Sequence, residues 1–207
     1  MSQMINGMFF GEVHPTKVMA GCVELFEGAW PNPLETIALI EKECSNLTSG
    51  LFWQKATVRN NDAAQRTNYN LGITKSANEL NNQIAQNVHN QMYALLMAAT
   101  VPYARKHNIT QLSHDEGYNM LKYSAGQEYK AHYDGSTASA RSVSVIVYLN
   151  DDYEGGELEF VNFGIKIKPP AGSLFIFPSN YPYAHIAHPV TGGTKYALVT
   201  WLHDRDL

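Results

Sequence analysis

The pattern of apolar and polar positions divides the chain into a part with helices and a later part with short strands. Apolar residues recur at helical spacing from about residue 33 and again over 77–99. From about residue 112, short runs rich in Val, Ile, Tyr and Phe alternate with Gly, Pro, Asn and Asp. The spacing of apolar residues is the primary sequence signal that separates helices from strands. The chain is therefore expected to be mainly β, with flanking helices.

The earlier part is expected to begin with strands and turns, and then to form a first helix. Glycines at positions 7, 11, 21 and 28 interrupt the first 30 residues. Asn32, Pro33 and Glu35 have the identities and spacing of an N-cap, a first helical residue and a capping-box partner. These signals predict a helix that begins at Pro33.

A second helix is predicted over residues 77–99. Ser76 and Glu79 have capping-box spacing at its start, and Pro102 is expected to end it. Residues 59–72 are polar without a clear period, which is typical of a long loop. The apolar stripe of the predicted helix comprises Leu80, Ile84, Val88, Met92, Leu95 and Ala99.

Eight short strands with turn signals between them predict a jelly-roll-like double sheet or barrel. The predicted strands are 117–123, 128–133, 142–149, 157–161, 164–168, 173–177, 183–187 and 194–202. In the third of them, one row is apolar and suited to packing on a helix: Val143, Val145, Val147 and Leu149. The opposite row suits a lined pocket: Ser144, Ile146 and Tyr148. We expect one domain, with helices over one face of a core at about 112–203.

Composition and charge exclude several classes of protein. The 207 residues are 44% hydrophobic and 16% charged, as in ordinary globular chains. A net charge of −4 gives no basic field for nucleic acid or an anionic membrane. No apolar run reaches the roughly 20 residues that span a bilayer, and the N-terminus does not resemble a signal peptide. The charge and the lack of a spanning segment thus predict no nucleic-acid or membrane partner. Cys22 and Cys44 lack metal or redox spacing and are expected to be buried thiols, which favours a cytoplasmic protein.

A candidate metal site begins with His132 and Asp134. In a strand, residues two apart point to the same side, so an imidazole and a carboxylate can reach one ion. With 8 histidines and 19 acidic residues in the chain, about 0.7 His-x-acid pairs are expected by chance. A second such pair does occur at His114 and Glu116. The motif by itself therefore does not establish a site.

A third ligand is needed for a facial triad of two histidines and one carboxylate. His185 and His188 are three apart, so in a strand they face opposite sides, and only one can join the site. His185 lies within the apolar run, whereas His188 precedes Pro189 and resembles a residue at the rim. Such a triad leaves neighbouring positions open and suits iron(II), while zinc favours a tetrahedral site with one open position.

Lys195 stands at the start of an apolar row on the last predicted strand. Lys195, Ala197, Val199 and Trp201 share one face by alternation. Burying an ammonium costs several kcal/mol unless an anion accompanies it, and an anionic ligand would meet that need. An exposed lysine at the start of a strand is the simpler alternative.

The chain resembles the prolyl 4-hydroxylase-like branch of the 2-oxoglutarate- and iron(II)-dependent dioxygenases over about 65–202. The matching segments are EGYNMLKYSAGQEYKAHYD (116–134), RSVSVIVYLNDDYEGGELEF (141–160), IKPPAGSLFIFP (167–178) and HIAHPVTGGTKYALVTWL (185–202). Both their order and their spacing fit the family. The resemblance implies a double-stranded β-helix core of the cupin-like, jelly-roll type, covered on one face by helices.

The resemblance also implies roles for individual residues. His132, Asp134 and His185 match the iron ligands. Lys195 matches the basic residue that binds the distal carboxylate of 2-oxoglutarate. Matches to positions that line the co-substrate pocket or lie near the metal are Tyr123, Tyr148 and Trp201, of which Tyr123 can donate to the same carboxylate.

Residues for substrate contact are less well defined by the resemblance. Arg66 belongs to an Arg-Thr-Asn run similar to an Arg-Thr-Ser element of the family's peptide-binding loop, and a solvated loop explains it equally well. Arg141 matches an arginine at the substrate mouth, but it shares the parity of Val143, so an inward role requires a bend at the strand start. Tyr129 has a parity opposite to that of His132 and is expected to support the site or to lie in the core.

The implied reaction consumes dioxygen and 2-oxoglutarate, with iron(II) as cofactor and ascorbate as reductant, and hydroxylates an unactivated carbon. The leading hypothesis is a prolyl 4-hydroxylase that acts on a proline-containing peptide or protein. One alternative keeps the chemistry and changes the substrate to another side chain or a small metabolite. Another is a non-catalytic jelly-roll binding module. Nucleic-acid repair is disfavoured by the charge, and a halogenase is disfavoured because Asp134 is present.

Overall fold

The computed structural model describes residues 3–5, 8–56, 65–136 and 139–204. Of residues 3–5 and 8–10, only the backbone is described. Within these ranges, none of the helices is long and apolar enough to cross a membrane. The helices are α1 (Pro33–Ser45), α2 (Ile73–Glu79) and α3 (Gln83–Lys106), with a 3₁₀ turn at Val161–Phe163.

The described residues also form sixteen short strands. The first eight are β1 (Gln3–Ile5), β2 (Met8–Phe10), β3 (Lys17–Met19), β4 (Val23–Phe26), β5 (Gln54–Lys55), β6 (Tyr69–Gly72), β7 (Asn119–Ser124) and β8 (Tyr129–His132). The others are β9 (Arg141–Tyr148), β10 (Glu154–Gly155), β11 (Leu158–Phe160), β12 (Ile165–Ile167), β13 (Leu174–Pro178), β14 (His185–Ala187), β15 (Val190–Gly192) and β16 (Thr194–His203).

Two antiparallel sheets form the body of the fold. The major sheet has eight strands in the order β3-β4-β13-β9-β16-β7-β6-β5, and the minor sheet has the order β12-β11-β14-β8. Two further pairs, β1-β2 and β10-β15, lie outside these sheets. The mainly β, double-stranded β-helix fold with flanking helices is therefore confirmed.

Period-two alternation assigns the two faces of the central strand β9 to different surroundings. Val143, Val145 and Val147 are at most 1% exposed and pack in one cluster with Met92 and Leu95 of α3. The opposite face of the major sheet contributes to a cluster with the minor sheet, formed by residues that include Tyr148, Leu158, Phe160, Phe175 and Phe177. The predicted packing of this strand on a helix is confirmed.

The eight predicted strands are all present, with ends that shift by up to two residues. The first helix also begins at Pro33 as predicted, but Asn32 does not cap it through its side chain. Asn32 instead adopts a left-handed backbone with φ of 49°, which turns the chain into the helix. The sequence pattern does not resolve strands β3 to β6 individually. Strand β6 lies in the stretch 59–72 that is predicted to be a loop, of which residues 59–64 fall outside the described residues. Cys22 and Cys44 are free thiols that are only partly buried.

The limits predicted for the second helix were wrong at both ends. Ser76 lies inside α2, and the true N-cap of α3 is Asn82, whose side chain accepts from the Ala85 N–H at 3.0 Å. Pro102 lies within α3 rather than after it. Proline has no N–H to bond the carbonyl four residues back, and here the Ala98 carbonyl accepts instead from the Val13 N–H at 3.1 Å.

Candidate active site

Two neighbouring strands of the minor sheet bring the predicted metal ligands together. His132 ends β8 and is the register partner of His185 on β14. Asp134 lies two residues beyond His132, after the strand has ended. One ligand atom from each of the three residues lies within 4.8 Å of the others. In the described part of the chain, this is the set of His, Cys, Asp and Glu side chains with metal-site geometry.

The hydrogen bonds of the two imidazoles fix which nitrogen faces the carboxylate. His132 Nδ1 lies 2.7 Å from the Lys130 carbonyl oxygen, and His185 Nδ1 lies 3.1 Å from the Tyr183 carbonyl oxygen. A carbonyl oxygen only accepts, so each Nδ1 carries the proton and each neutral ring keeps a lone pair on Nε2. Both Nε2 atoms lie 3.6 Å from oxygens of Asp134.

Burial and charge set the protonation states of these ligands for metal binding. Burial lowers the pKa of His185 to about 4, which keeps the ring neutral. Burial alone would raise the pKa of Asp134, but the positive charge that His185 and His132 carry when protonated, together with a hydrogen bond from Ser144, outweighs it and holds the pKa well below its usual value. Neutral imidazoles and an ionised carboxylate are the ligand forms that bind a divalent transition metal, so the residues fit iron(II).

A cavity extends from the three ligands into the space between the sheets. Its wall contains the other residues predicted for the co-substrate, and much of the rest is apolar. The predicted residues in the wall are Tyr123, Tyr148, Lys195 and Trp201, and further lining comes from Leu121, Ile146, Leu158 and Val199.

Lys195 places a buried ammonium in this cavity. The side chain is 2% exposed, and its Nζ donates to the Gly156 carbonyl oxygen at 2.6 Å. The Nζ lies 5.0 Å from the ring centroid of Tyr148 and 5.4 Å from that of Tyr123. Burial lowers the pKa of Lys195 to about 7, against a smaller opposing effect of Glu157. No carboxylate of the described residues forms an ion pair with Lys195, so an anionic ligand would stabilise its charged form.

Comparison with known proteins identifies the part of the chain that carries this site. Residues 118–203 match the family model described as the 2OG-Fe(II) oxygenase superfamily, in which 2OG denotes 2-oxoglutarate. Residues 118–203 form a 2OG-Fe(II) oxygenase domain. The oxygenase domain contains the three metal-ligand candidates and Lys195, and the resemblance to prolyl 4-hydroxylases is confirmed.

Curated relatives include the protein named "Probable prolyl 4-hydroxylase 9" of Arabidopsis thaliana, which is 35% identical over 45% of this chain and 43% of its own length. A PKHD-type hydroxylase of Prochlorococcus marinus is 26% identical over 83% of this chain and 77% of its own length. The chain thus spans less than half the length of the first relatives it matches.

Solved structures of prolyl hydroxylases share the fold of the chain. A prolyl hydroxylase of Trichoplax adhaerens, in complex with a peptide fragment of the hypoxia inducible factor, has a TM-score of 0.70 at 18% identity and covers 89% of this chain and 84% of its own. The viral collagen prolyl hydroxylase of Paramecium Bursaria Chlorella virus-1, in its 2OG complex, has a TM-score of 0.62 at 22% identity, with 88% and 96% covered. At these identities the likeness establishes the fold.

A β-bulge in the oxygenase domain explains the position of Tyr129. His185 pairs with His132 and Ala187 pairs with Tyr129, so three residue steps on β8 face two on β14. The extra residue brings Tyr129 to the same side as His132, against the parity prediction. Its ring stacks on the His132 ring with a centroid distance of 3.5 Å and an interplanar angle of 12°. Tyr129 therefore supports the metal site and also lines the cavity.

Arg141 lies beside the cavity of the oxygenase domain, although it does not line it. An irregularity in the pairing with β16 at Leu202 and His203 provides the bend that an inward position requires. The guanidinium stacks on the Trp201 ring at 3.8 Å and donates to the Asp134 carbonyl oxygen at 3.3 Å. It is also paired with Glu116 at 2.5 Å.

Arg66 lines the cavity at the side where Tyr129 lies. Its guanidinium carbon is 4.8 Å from the Tyr129 ring centroid, and its Nε donates to the Asn68 side chain at 2.8 Å. Backbone bonds between this segment and β8, such as Lys130 N–H to the Gln65 carbonyl at 3.0 Å, hold it against the minor sheet. The segment is thus structured rather than a solvated loop.

The two histidines that competed with the site lie outside it. His188 Nε2 is 2.6 Å from a carboxylate oxygen of Glu159, on the side of β14 away from the metal ligands. The His114 pair is also separate: Glu116 bonds Arg141 and also His203, the latter at 2.8 Å. His185 thus lies in the site and His188 outside it, as the two-residue period of a strand predicts.

The sequence prediction placed Ser144 in the pocket row but gave it no role, and it did not consider Ser179. Ser144 Oγ donates to Asp134 Oδ2 at 2.6 Å and lies 2.8 Å from Ser179 Oγ. Parity along β9 indicated that Ser144 faces inward. The position of Ser179 depends on the chain path after β13, which no local pattern predicts.

Proposed function

We propose that the chain is a 2-oxoglutarate- and iron(II)-dependent dioxygenase that hydroxylates proline residues in a peptide or protein. One observation carries the proposal: a single cavity contains both the two-histidine, one-carboxylate set and the buried Lys195 ammonium. The first suits iron(II) with neighbouring open positions. The second suits the far carboxylate of a dicarboxylic acid bound at the metal.

Each of these residues of the cavity would have its own role. His132, Asp134 and His185 would hold iron(II), and Lys195 would pair with the distal carboxylate of 2-oxoglutarate. Burial raises the pKa of Tyr123 to about 12, so its hydroxyl stays protonated and can donate a hydrogen bond to the same carboxylate. When bound, iron(II) and 2-oxoglutarate supply the oxidising power that places one oxygen atom of dioxygen in the substrate and the other in succinate, with release of carbon dioxide. The apolar wall would exclude water from the reacting groups.

The names of the relatives support a proline substrate, since prolyl hydroxylases occur among both the curated relatives and the solved structures. Arg66 and the Arg141–Trp201 stack, which lie at and beside the cavity wall, are the groups that we propose for contact with a peptide. Ascorbate is the proposed reductant that keeps the iron in its iron(II) state.

The proposal is tested with iron(II), 2-oxoglutarate, ascorbate and a panel of proline-containing peptides. We expect succinate to form and a peptide to gain one oxygen atom on a proline, as measured by mass spectrometry. His185→Ala should abolish both signals because it removes a metal ligand. His188→Ala is the matched control and should retain both, because His188 pairs with Glu159 outside the cavity.

Each outcome separates the alternatives. If succinate forms only when a different side chain or a small metabolite is supplied, the oxygenase stands and the proline substrate is wrong. If wild-type protein and His185→Ala produce equal succinate under all conditions, the catalytic function is wrong and a binding module is left.

A further inference from the structure

Asp134 is the one metal-ligand candidate that the sheet does not hold. His132 and His185 are register partners on adjacent strands, so strand pairing fixes both. Asp134 follows the end of β8, and its own backbone forms no part of a ladder. Some other contact must therefore keep its carboxylate in place.

Ser144 of the major sheet makes that contact, and Ser179, which follows β13, supports it. Ser144 on β9 donates its only hydroxyl proton to Asp134 Oδ2 at 2.6 Å. Ser144 and Ser179 lie 2.8 Å apart through their hydroxyl oxygens. Because the proton of Ser144 is already used, Ser179 must donate to Ser144. Both serines are 0% exposed, so water does not compete for these bonds.

Ser179 holds the same segment at a second point. Its carbonyl oxygen accepts from the Gly135 N–H at 2.9 Å, next to Asp134 in the chain. Its own N–H donates to the Ser142 carbonyl oxygen at 2.9 Å, which ties Ser179 to β9. The backbone after β8 and the carboxylate are therefore both fixed relative to one strand of the major sheet.

We propose that the Ser144–Ser179 hydroxyl pair is the positioning device for the Asp134 carboxylate. It ties Oδ2 to the major sheet and leaves Oδ1 as the oxygen available to the metal. This inference rests on the proposed metal site and assigns to Ser144 and Ser179 a role in metal affinity and ligand orientation. Neither residue is assigned contact with the metal or the substrate.

The test measures Co(II) binding to metal-free full-length protein by its visible absorption. Co(II) stands in for iron(II) because it accepts the same ligand types. Ser144→Ala should weaken Co(II) binding by roughly 10- to 100-fold, as loss of a group that orients a ligand commonly does, and should alter the absorption bands. Ser179→Ala should cause a smaller loss, because Ser144 keeps its own bond to Asp134. Ser144→Thr retains the hydroxyl and should bind close to wild type.

Ser173→Ala is the matched control. Ser173 is also 0% exposed, but its hydroxyl has no hydrogen-bond partner among the described residues. It should therefore retain wild-type Co(II) affinity. Thermal melts of the metal-free variants show whether each one folds. If Ser144→Ala does not fold, Ser179→Ala decides the question.

The outcomes separate this inference from the proposed function. Wild-type Co(II) affinity in Ser144→Ala, or in Ser179→Ala where that variant decides, overturns the inference and leaves the metal site intact. Equal losses in Ser144→Ala and Ser173→Ala, or in Ser144→Ala and Ser144→Thr, also overturn it. If the wild-type protein itself does not bind Co(II), or binds it as well after His185→Ala, the proposed metal site is wrong and the inference falls with it.

Discussion

Lys195 illustrates at the scale of one residue how a ligand site can reduce the stability of the empty protein. Its ammonium is buried beside aromatic rings, with one carbonyl oxygen as hydrogen-bond acceptor. Burial of a charge without an opposite charge is unfavourable, and this cost appears as the lowered pKa of about 7. A carboxylate ligand would remove this cost, so the folded protein already provides a binding site for an anionic ligand.

Lys195→Met should therefore stabilise the ligand-free protein by about 1–4 kcal/mol, since methionine fills similar space without a charge. The gain should be largest below pH 7 and shrink as the pH rises toward 10.5, because the folded pKa is about 7 and the usual value is 10.5. Thermal or urea unfolding across this range measures it. The same variant should lose binding of 2-oxoglutarate. Lys166→Met, at an exposed side chain, is the control and should change neither the stability nor the binding of 2-oxoglutarate. Equal stability of Lys195→Met and wild type would contradict the prediction.

Residue-scale prediction from sequence succeeded where side-chain parity was undisturbed. The choice of His185 over His188 and the inward row of Lys195 needed only the two-residue period of an extended strand. The side of the strand expected for Tyr129 was wrong, because a bulge on β8 inserts one residue between Tyr129 and His132. Bulges arise from pairing between strands, so the sequence of β8 alone does not reveal this one.

At the scale of elements, helix limits were less predictable than helix existence. The apolar stripe correctly indicated α3, but the capping-box spacing of Ser76 and Glu79 fell inside the separate helix α2. The start of α3 is set by Asn82, whose side chain bonds both the Ala85 N–H at 3.0 Å and Glu43 of α1 at 2.8 Å. Local pattern does not indicate Asn82, six residues after Ser76, as the cap, because its contact with α1 is made only in the folded structure.

Asn82→Ala should destabilise the protein by about 0.5–2 kcal/mol, because it leaves an N–H at the start of α3 without its cap. Urea unfolding followed by circular dichroism measures the change. Asn90→Ala, at an exposed position within the same helix, is the control and should be neutral or slightly stabilising, since alanine has the higher helix propensity. Equal effects of the two substitutions would show that Asn82 does not act as a cap.

At the scale of the whole molecule, stability and chemistry lie on opposite faces of the major sheet. One face packs on α3 through valines of β9 and buried residues of the helix. The other face carries Ser144, Ile146 and Tyr148 toward the cavity. The alternation of β9 predicted both faces from sequence, whereas the order of strands in the sheets could be expected only from the family resemblance.

Met92→Ala should destabilise the protein by about 2–5 kcal/mol, because Met92 is 0% exposed in the cluster between α3 and the major sheet. Met97→Ala is the matched control on the same helix, since Met97 is 46% exposed. Chemical unfolding measures both. Co(II) affinity of folded Met92→Ala should equal that of wild type, because the substitution lies on the face away from the ligands; a parallel loss of affinity would contradict this separation.

The support of Asp134 from the opposite sheet has a consequence for the order in which the site can be completed. The minor sheet alone could bring His132 and His185 side by side, since they are neighbours in one ladder. The carboxylate becomes fixed only once Ser144 of the major sheet, backed by Ser179 after β13, has packed behind it. A chain in which only the minor sheet has formed would thus hold an incomplete metal site. Tight metal binding would then indicate that the minor and major sheets have packed against each other.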